Sequence, residues 1–346
     1  MKHITIAIFS IVLLGVLGWF NISAKEPKEL IKKINSLPNK QEASENLTTH
    51  STNRPDGLIQ NNLIKEDASP SHLTLNQEQA LQSIEMLLAN ISNGQRVDLA
   101  TERKVLAYLK ENNDEYVYQL IANYINKAVP GDPNDDRMVK YCLSLLAVID
   151  SFSASELFFS LILEDNWQEF DDIYSVRQSI SKLTMNVDYT ELIQQSFTQA
   201  DEFNPFISDL ASAIGRNAQT EQVDYLLEYV DSPIENKSRA ANNAMNQIKT
   251  EALVPSITPY LYDESTDSVK TAALNSLAHM GQYEAASALI SWSSQQPLDA
   301  ADKIEHLFTI ALSRSPSTKR AIEKEINTQN FSNEELKTLI INLSIK

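Results

Sequence analysis

The sequence predicts an all-α protein of helical hairpins stacked one on the next. Three observations carry this. Only 7 Gly and 12 Pro occur in 346 residues, fewer turn-formers than a sheet-rich chain of that length uses. From Thr74 onward, apolar residues recur three and four apart, the period of a helix buried along one side. No run alternates apolar and polar residues between hairpin turns, as half-buried strands do.

The helices can be justified in order. "LTLNQEQALQSIEMLLANI" sets Ala80, Ile84, Leu87, Leu88 and Ile91 on one stripe. "VDLATERKVLAYLKENN" repeats the pattern with Leu99, Val105, Leu106 and Leu109. The same reading predicts helices over Glu115–Val129, Asp135–Asp150, Ala154–Asp165, Asp172–Met185, Tyr189–Gln199, Pro205–Asn217, Glu221–Val230, Asn236–Ile248, Ala252–Tyr262, Asp267–Met280, Tyr283–Ser294, Asp299–Arg314, Pro316–Thr328 and Asn333–Ile345. Short polar corners separate them.

Their spacing indicates the architecture. The second helix of each later pair starts near Val176, Pro205, Ser238, Val269 and Ala300, a period of about 31 residues. Two helices per unit at that period predict an α-solenoid of about seven to eight antiparallel pairs across residues 74–346. A lone hairpin cannot bury both of its apolar faces; stacking makes the core continuous. "QVDYLLEYVDSPIENKSRAANNAMNQI" and "LVPSITPYLYDESTDSVKTAALNSLAHM" both run apolar helix, acidic turn, basic residue, Ala-rich helix. Ala241, Ala244, Met245 and Ile248 align with Ala273, Ser276, Leu277 and Met280.

The second of these units resembles a HEAT repeat, of the armadillo-like helical class. The matches are Pro255 in the first helix, Asp263 after it, Val269 with Lys270 opening the second helix, and Ala273. Lys270 stands where the family has Arg. Val176–Arg177 is similar after a longer corner, and the resemblance covers about Asp172–Gln295. It implies stacked hairpins with a curved binding surface lined by the second helices, and it implies no catalysis. In that frame Asp267 is expected to cap the second helix, with Asp263 pairing across the corner to Lys270.

The first 73 residues read differently. "MKHITIAIFSIVLLGVLGWFNISAKE" holds an uncharged run from Ile4 to Phe20, about 25 Å of helix against a hydrocarbon core of about 30 Å. It predicts either a signal peptide cleaved after "ISA" (1–24) or an uncleaved signal anchor, with Trp19 and Phe20 at the interface. Both predict the cell envelope: an inner-membrane anchor with a periplasmic body, or a periplasmic or secreted product. Lys25, Lys28, Lys32 and Lys33 follow the run, against the usual preference of basic flanks for the cytoplasm. "PKELIKKINSLPNK" could form a short amphipathic helix, with Leu30, Ile31, Ile34 and Leu37 on one face. The Asn-, Ser- and Thr-rich stretch that follows makes 25–73 a flexible linker.

Charge narrows the partners. Residues 1–73 hold 8 basic and 7 acidic side chains, and 74–346 hold 21 and 39. A body of net charge −18 repels nucleic acid and anionic lipid, so neutral or cationic partners are expected. No cofactor and no metal are expected. Of the five histidines, His3, His50 and His72 precede the body, while His279 and His306 do not pair at ligand spacing. The one cysteine, Cys142, sits in the apolar run "VKYCLSLLAV" and reads as core. No Gly-x-Ser-x-Gly elbow or Gly-rich phosphate loop occurs. The acidic corners "GDPNDD" and "EDNWQEFDD" lack the order of a calcium loop and read as helix caps, with Trp167, Phe170 and Tyr174 read as core packing rather than as a binding platform.

The expected function is therefore a non-enzymatic scaffold or adaptor, tethered in the envelope, that binds a protein or peptide on its curved surface. Candidate contacts are polar positions on the second helices: Arg239, Asn242, Asn246 and Asn275. The alternative is a client-specific periplasmic chaperone. "VKYCLSLL" resembles the Tyr-Cys-Leu-Ser stretch of membrane-anchored lipase foldases, but the rest of that motif is absent and short hairpins contradict their long helices. An enzyme of another type is the least supported class.

Overall fold

A computed structural model describes residues 75–164, 167, 173–262 and 265–345. The leader, the linker, the pairing of Asp263 with Lys270 and most of the second acidic corner lie outside these residues. Among the described residues the protein is all-helical, with sixteen α-helices and no strand. They are α1 (Gln77–Ser92), α2 (Leu99–Glu111), α3 (Glu115–Lys127), α4 (Pro133–Ile149), α5 (Phe152–Ile162), α6 (Tyr174–Leu183), α7 (Thr190–Gln199), α8 (Ile207–Arg216), α9 (Thr220–Val230), α10 (Glu235–Met245), α11 (Val254–Ile257), α12 (Asp267–Met280), α13 (Tyr283–Ser294), α14 (Ala301–Arg314), α15 (Pro316–Glu325) and α16 (Glu334–Ile345).

Caps set many of the boundaries. Asn76 and Gln79 form a capping box on α1, and Asp98, Asp114 and Asp132 cap α2, α3 and α4. Each removes a backbone N–H that would otherwise lack a partner. Asp150 ends α4 at φ 53° and Gly281 ends α12 at φ 59°.

Three expectations need correction. The helix expected over Ala252–Tyr262 is broken: a 3-10 turn (Glu251–Leu253), the four-residue α11 and a second 3-10 turn (Thr258–Leu261). Pro255 fits the first turn of a helix, but Pro259 has no N–H to continue the ladder, so the chain tightens there. The cap of α12 is Thr266, whose hydroxyl accepts from the Val269 N–H at 3.3 Å; Asp267 is the first helical residue. Leu99, assigned to the apolar stripe of α2, is 61% exposed at the first helical position. Val105 and Leu109 carry the burial instead.

Each even-numbered helix from α2 to α14 packs against the next even-numbered one. The odd-numbered helices make the corresponding contacts, with α7 and α9 joined by the Tyr225 hydroxyl donating to the Gln194 carbonyl at 2.9 Å. The tightest seam lies between α8 and α10. A methyl group on Gly215 would sit 2.1 Å from the Ala244 carbonyl oxygen, so only glycine permits this approach. Ala211, Ala240, Ala241 and Ala244 are buried alongside it.

The corners are stitched to one another in two series. Corners that follow odd-numbered helices are joined by Asn204 to the Ile162 carbonyl (2.8 Å), Asn236 to the Glu202 carbonyl (2.8 Å) and Thr266 to the Asp231 carboxylate (2.6 Å). Arg137 donates likewise to the Gln95 carbonyl. Corners that follow even-numbered helices are joined by Tyr189 to the Asp150 carboxylate (3.1 Å), Asn217 to the Thr184 carbonyl (2.7 Å), Gln282 to the Lys249 carbonyl (2.8 Å) and Thr318 to the Gly281 carbonyl (2.9 Å). These long-range bonds span from 33 residues, as in Asn217 to Thr184, up to 42, as in Asn204 to Ile162. Each unit is thus tied to the one beside it.

Candidate functional site

The four predicted contact residues lie on α10 and α12, two even-numbered helices that pack together. Arg239, near the start of α10, is exposed, and its guanidinium donates to the Asn236 carboxamide at 2.8 Å. It borders a groove of about 220 Å³ shared with Glu202, Phe203 and Asn204 from the corner between α7 and α8 and with Ser208 from the first turn of α8. Asn242 is half-buried and donates its amide to the Ser238 carbonyl of its own helix at 3.2 Å. Asn246 caps the C-terminus of α10; its carboxamide oxygen is enclosed without a hydrogen-bond partner among the described residues. Asn275 is half-buried on α12, and its carbonyl lies 2.9 Å from His279 Nδ1.

Asn242 and Asn246 are one turn apart and share a face. Arg239 lies about 10 Å farther along the axis than Asn246, at 1.5 Å per residue. The corner groove takes the arginine and not the asparagines. The carboxamide oxygen of Asn246 is the polar group here with an unmet demand.

One feature went unread in the sequence. Lys237 is 4% exposed. Its ammonium donates to the Thr198 carbonyl at 2.8 Å and lies 5.9 Å from the Phe197 ring centroid and 6.0 Å from that of Tyr229. Tyr225 completes the cluster, stacked edge-on to Phe197 and 5.0 Å from Tyr229. Burial pushes the Lys237 ammonium below the usual lysine range, and Asp201 partly offsets this. The two rings stabilise the desolvated cation. Tyr225 and Tyr229, four apart in "VDYLLEYV", were visible as a helical pair. Nothing in "ENKSRAA" marks Lys237 as the buried cation rather than Arg239.

The acidic and sulfur groups are occupied structurally. Asp132 accepts from the Asn134 and Asp135 N–H groups, Asp135 from Val129 N–H at 2.9 Å, and Asp136 from Gly131 N–H at 3.1 Å. Asp114, 6% exposed, accepts from Gln77, the Tyr108 hydroxyl and the Tyr116 N–H, which ties α1, α2 and α3 together. Tyr108 is pushed up to about 12 by burial and by that carboxylate. Trp167 is buried as expected, donates to the Leu161 carbonyl and packs edge-on against Phe206 at 5.6 Å, whereas Tyr174, read as core packing, is 66% exposed at the first residue of α6, and Phe170 lies outside the described residues. Cys142 is fully buried, and burial raises its thiol far above the range in which a thiolate forms. Among the described residues, no three His, Cys, Asp or Glu side chains converge as a metal site would require. No described helix is long and apolar enough to cross a membrane.

No protein-family model matches the chain, and no curated protein matches its sequence.

Proposed function

We propose that residues 74–346 form a HEAT-like α-solenoid that serves as a non-enzymatic scaffold, holding a protein or peptide on the face made by its even-numbered helices. The observation that carries this reading is the nearest-neighbour stitching of both corner series, from Asn204 and Asn217 onward. Such bonding is what a stack of hairpins in two layers produces. The two corner series then mark two opposite edges. The even layer has the Gly215 seam and the alanines of α8 and α10, while the aromatic cluster of Phe197, Tyr225 and Tyr229 widens the odd layer. Unequal spacing of this kind bends a stack toward its tighter layer, which makes the even-numbered helices the inner side.

On this reading Arg239, Asn242, Asn246 and Asn275 contact the partner. The hydrophobic leader tethers the scaffold in the envelope, with the body in the periplasm. A pull-down from detergent-solubilised envelope recovers a stoichiometric partner, and combined Arg239→Glu, Asn242→Asp, Asn246→Asp and Asn275→Asp changes release it. Recovery of nothing after gentle crosslinking counts against the scaffold. Protease added to intact spheroplasts digests the body if it faces the periplasm; a fully protected body overturns the placement.

A further inference from the structure

The net charge of −17 is not shared evenly between the two sets of helices. Through α14, the seven odd-numbered helices hold nine acidic residues and one basic residue, Lys127. The seven even-numbered helices hold nine acidic residues and thirteen basic ones. The acidic numbers are equal, so the contrast lies wholly in where the cations are. From α5 to α13 the odd-numbered helices carry six acidic residues and no basic one.

The even-numbered helices from α6 to α14 place their exposed cations in two rows. Arg177, Arg239 and Lys303 lie near the starts of α6, α10 and α14, and Lys182, Arg216 and Arg314 lie in the last turns of α6, α8 and α14. On α14, Lys303, His306, Ile310 and Arg314 recur three and four apart, so both rows and the ground between them share one face. Half-buried Ser212, Asn242 and Asn275 lie between the rows on α8, α10 and α12. Neighbouring helices meet in register. Arg177 lies 3.4 Å from Asp209, Lys303 donates to the Thr271 hydroxyl at 3.2 Å, and Arg216 donates to the Thr184 hydroxyl at 3.3 Å.

Two ordinary explanations fall short. A cation in a last turn complements the helix dipole, yet α5, α7, α9 and α13 end without one. Surface cations are often matched by a neighbouring carboxylate, yet among the described residues Arg177 alone of the six is so paired. The carboxylates of these five helices are few and marginal. Asp209 is the one held by Arg177, and Glu235, Asp267 and Asp302 occupy the first or second helical position. Only Glu305 lies deeper in its helix.

We infer that this face takes an acidic polypeptide segment of the partner protein, laid across α6 to α14 between the two rows of cations. Bulk charge favours a neutral or cationic partner, whereas the local field here favours an anionic one and repels a cationic one. Five helices about 8–10 Å apart, with an advance of about 3.3 Å per extended residue, fit a segment of about twelve residues. The inference rests on the scaffold reading above and specifies the chemistry of its partner.

The test is fluorescence anisotropy of labelled twelve-residue peptides with the full chain in detergent at low salt. Six repeats of Glu-Ser should bind at least tenfold tighter than six repeats of Gln-Ser or of Lys-Ser, and added salt should weaken the binding. Combined Lys182→Gln, Arg239→Gln and Arg314→Gln changes should weaken it tenfold or more. Combined Lys319→Gln, Arg320→Gln and Lys324→Gln changes remove the same charge from α15, an odd-numbered helix, and should leave it within about twofold. Circular dichroism verifies the fold of each variant, and the comparison among peptides needs no variant. Equal binding of Gln-Ser, preference for Lys-Ser, or equal loss from the α15 changes overturns the inference. Tighter binding of a twelve-residue oligothymidylate also overturns it and assigns the face to nucleic acid. No binding of Glu-Ser, beside an envelope partner that the four-residue change above releases, overturns the acidic segment and leaves the scaffold standing. Binding of Glu-Ser with no envelope partner recovered upholds the acidic segment and counts against the scaffold.

Discussion

The two corner series solve the same geometric problem with different chemistry. Most corners after even-numbered helices are short, although the one after α6 leaves Met185 and Val187 exposed. Thr318 is fully buried, bonded to the Gly281 and Ala311 carbonyls at 2.9 and 3.0 Å, and Gly281 leaves no room beside Arg314. Corners after odd-numbered helices are acidic and leave large apolar side chains in solvent, Phe203 and Leu298 among them. The first series spends its side chains on holding units together. The second holds register with backbone-directed bonds such as Asn236 to the Glu202 carbonyl. Changes in the first series should therefore cost more stability than changes in the second.

The sharpest break of that contrast is Gly281→Val. The new Cβ meets Arg314 Cβ at 2.6 Å and the Ala311 carbonyl at 3.0 Å, at a φ of 59° that suits glycine. A loss of about 2–4 kcal/mol is expected in urea melts. Thr318→Val keeps the shape but leaves two buried carbonyls without their hydroxyl partner, an expected loss of about 1–3 kcal/mol. Phe203→Ser, in the other series, should change the unfolding free energy from urea melts by no more than about 0.5 kcal/mol, the range of an ordinary surface change.

Lys237 supplies a test by pH, since its ammonium reaches from α10 to the last turn of α7. Its folded-state value lies below the ordinary lysine value. Between those two values the unfolded chain binds more protons, so this group's contribution to stability rises with pH through that window. Lys237→Met should flatten the rise in thermal melts recorded from neutral to alkaline pH. The smallest expected effect concerns Cys142: native protein should show no thiol reaction with a disulfide reagent, and full reaction in denaturant.

The helices were largely legible in the sequence, because all but the four-residue α11 follow the 3.6-residue period and several start at side-chain caps such as Asn76, Asp98, Asp114 and Asp132. Legibility failed where a single residue decides a local geometry. Pro259 breaks a helix whose apolar pattern continues through it. "STDSV" offers both Thr266 and Asp267 as caps, and the backbone selects Thr266. Leu99 fits the stripe by count but falls at the first turn, where the helix has not yet turned it inward. The site was less legible still. The burial of Lys237 depends on rings from α7 and α9, and no local pattern reports a contact across 39 residues. Arg239 and the three asparagines share two neighbouring helices as expected, but their separation along α10 follows from the helix rise alone. The charge contrast became visible only once the helices were sorted by parity.

The longest side-chain bond described above reaches back only 42 residues, and that reach has a bearing on how the chain comes to be. A unit finds its packing partner in the segment made just before it, so assembly can proceed in the order of synthesis. Nothing held early must wait for a distant C-terminal segment. A length of chain carrying one hairpin can likewise be gained or lost between α7 and α14 while the flanking pairs keep the same kind of neighbour. In such a molecule, length is an adjustable property.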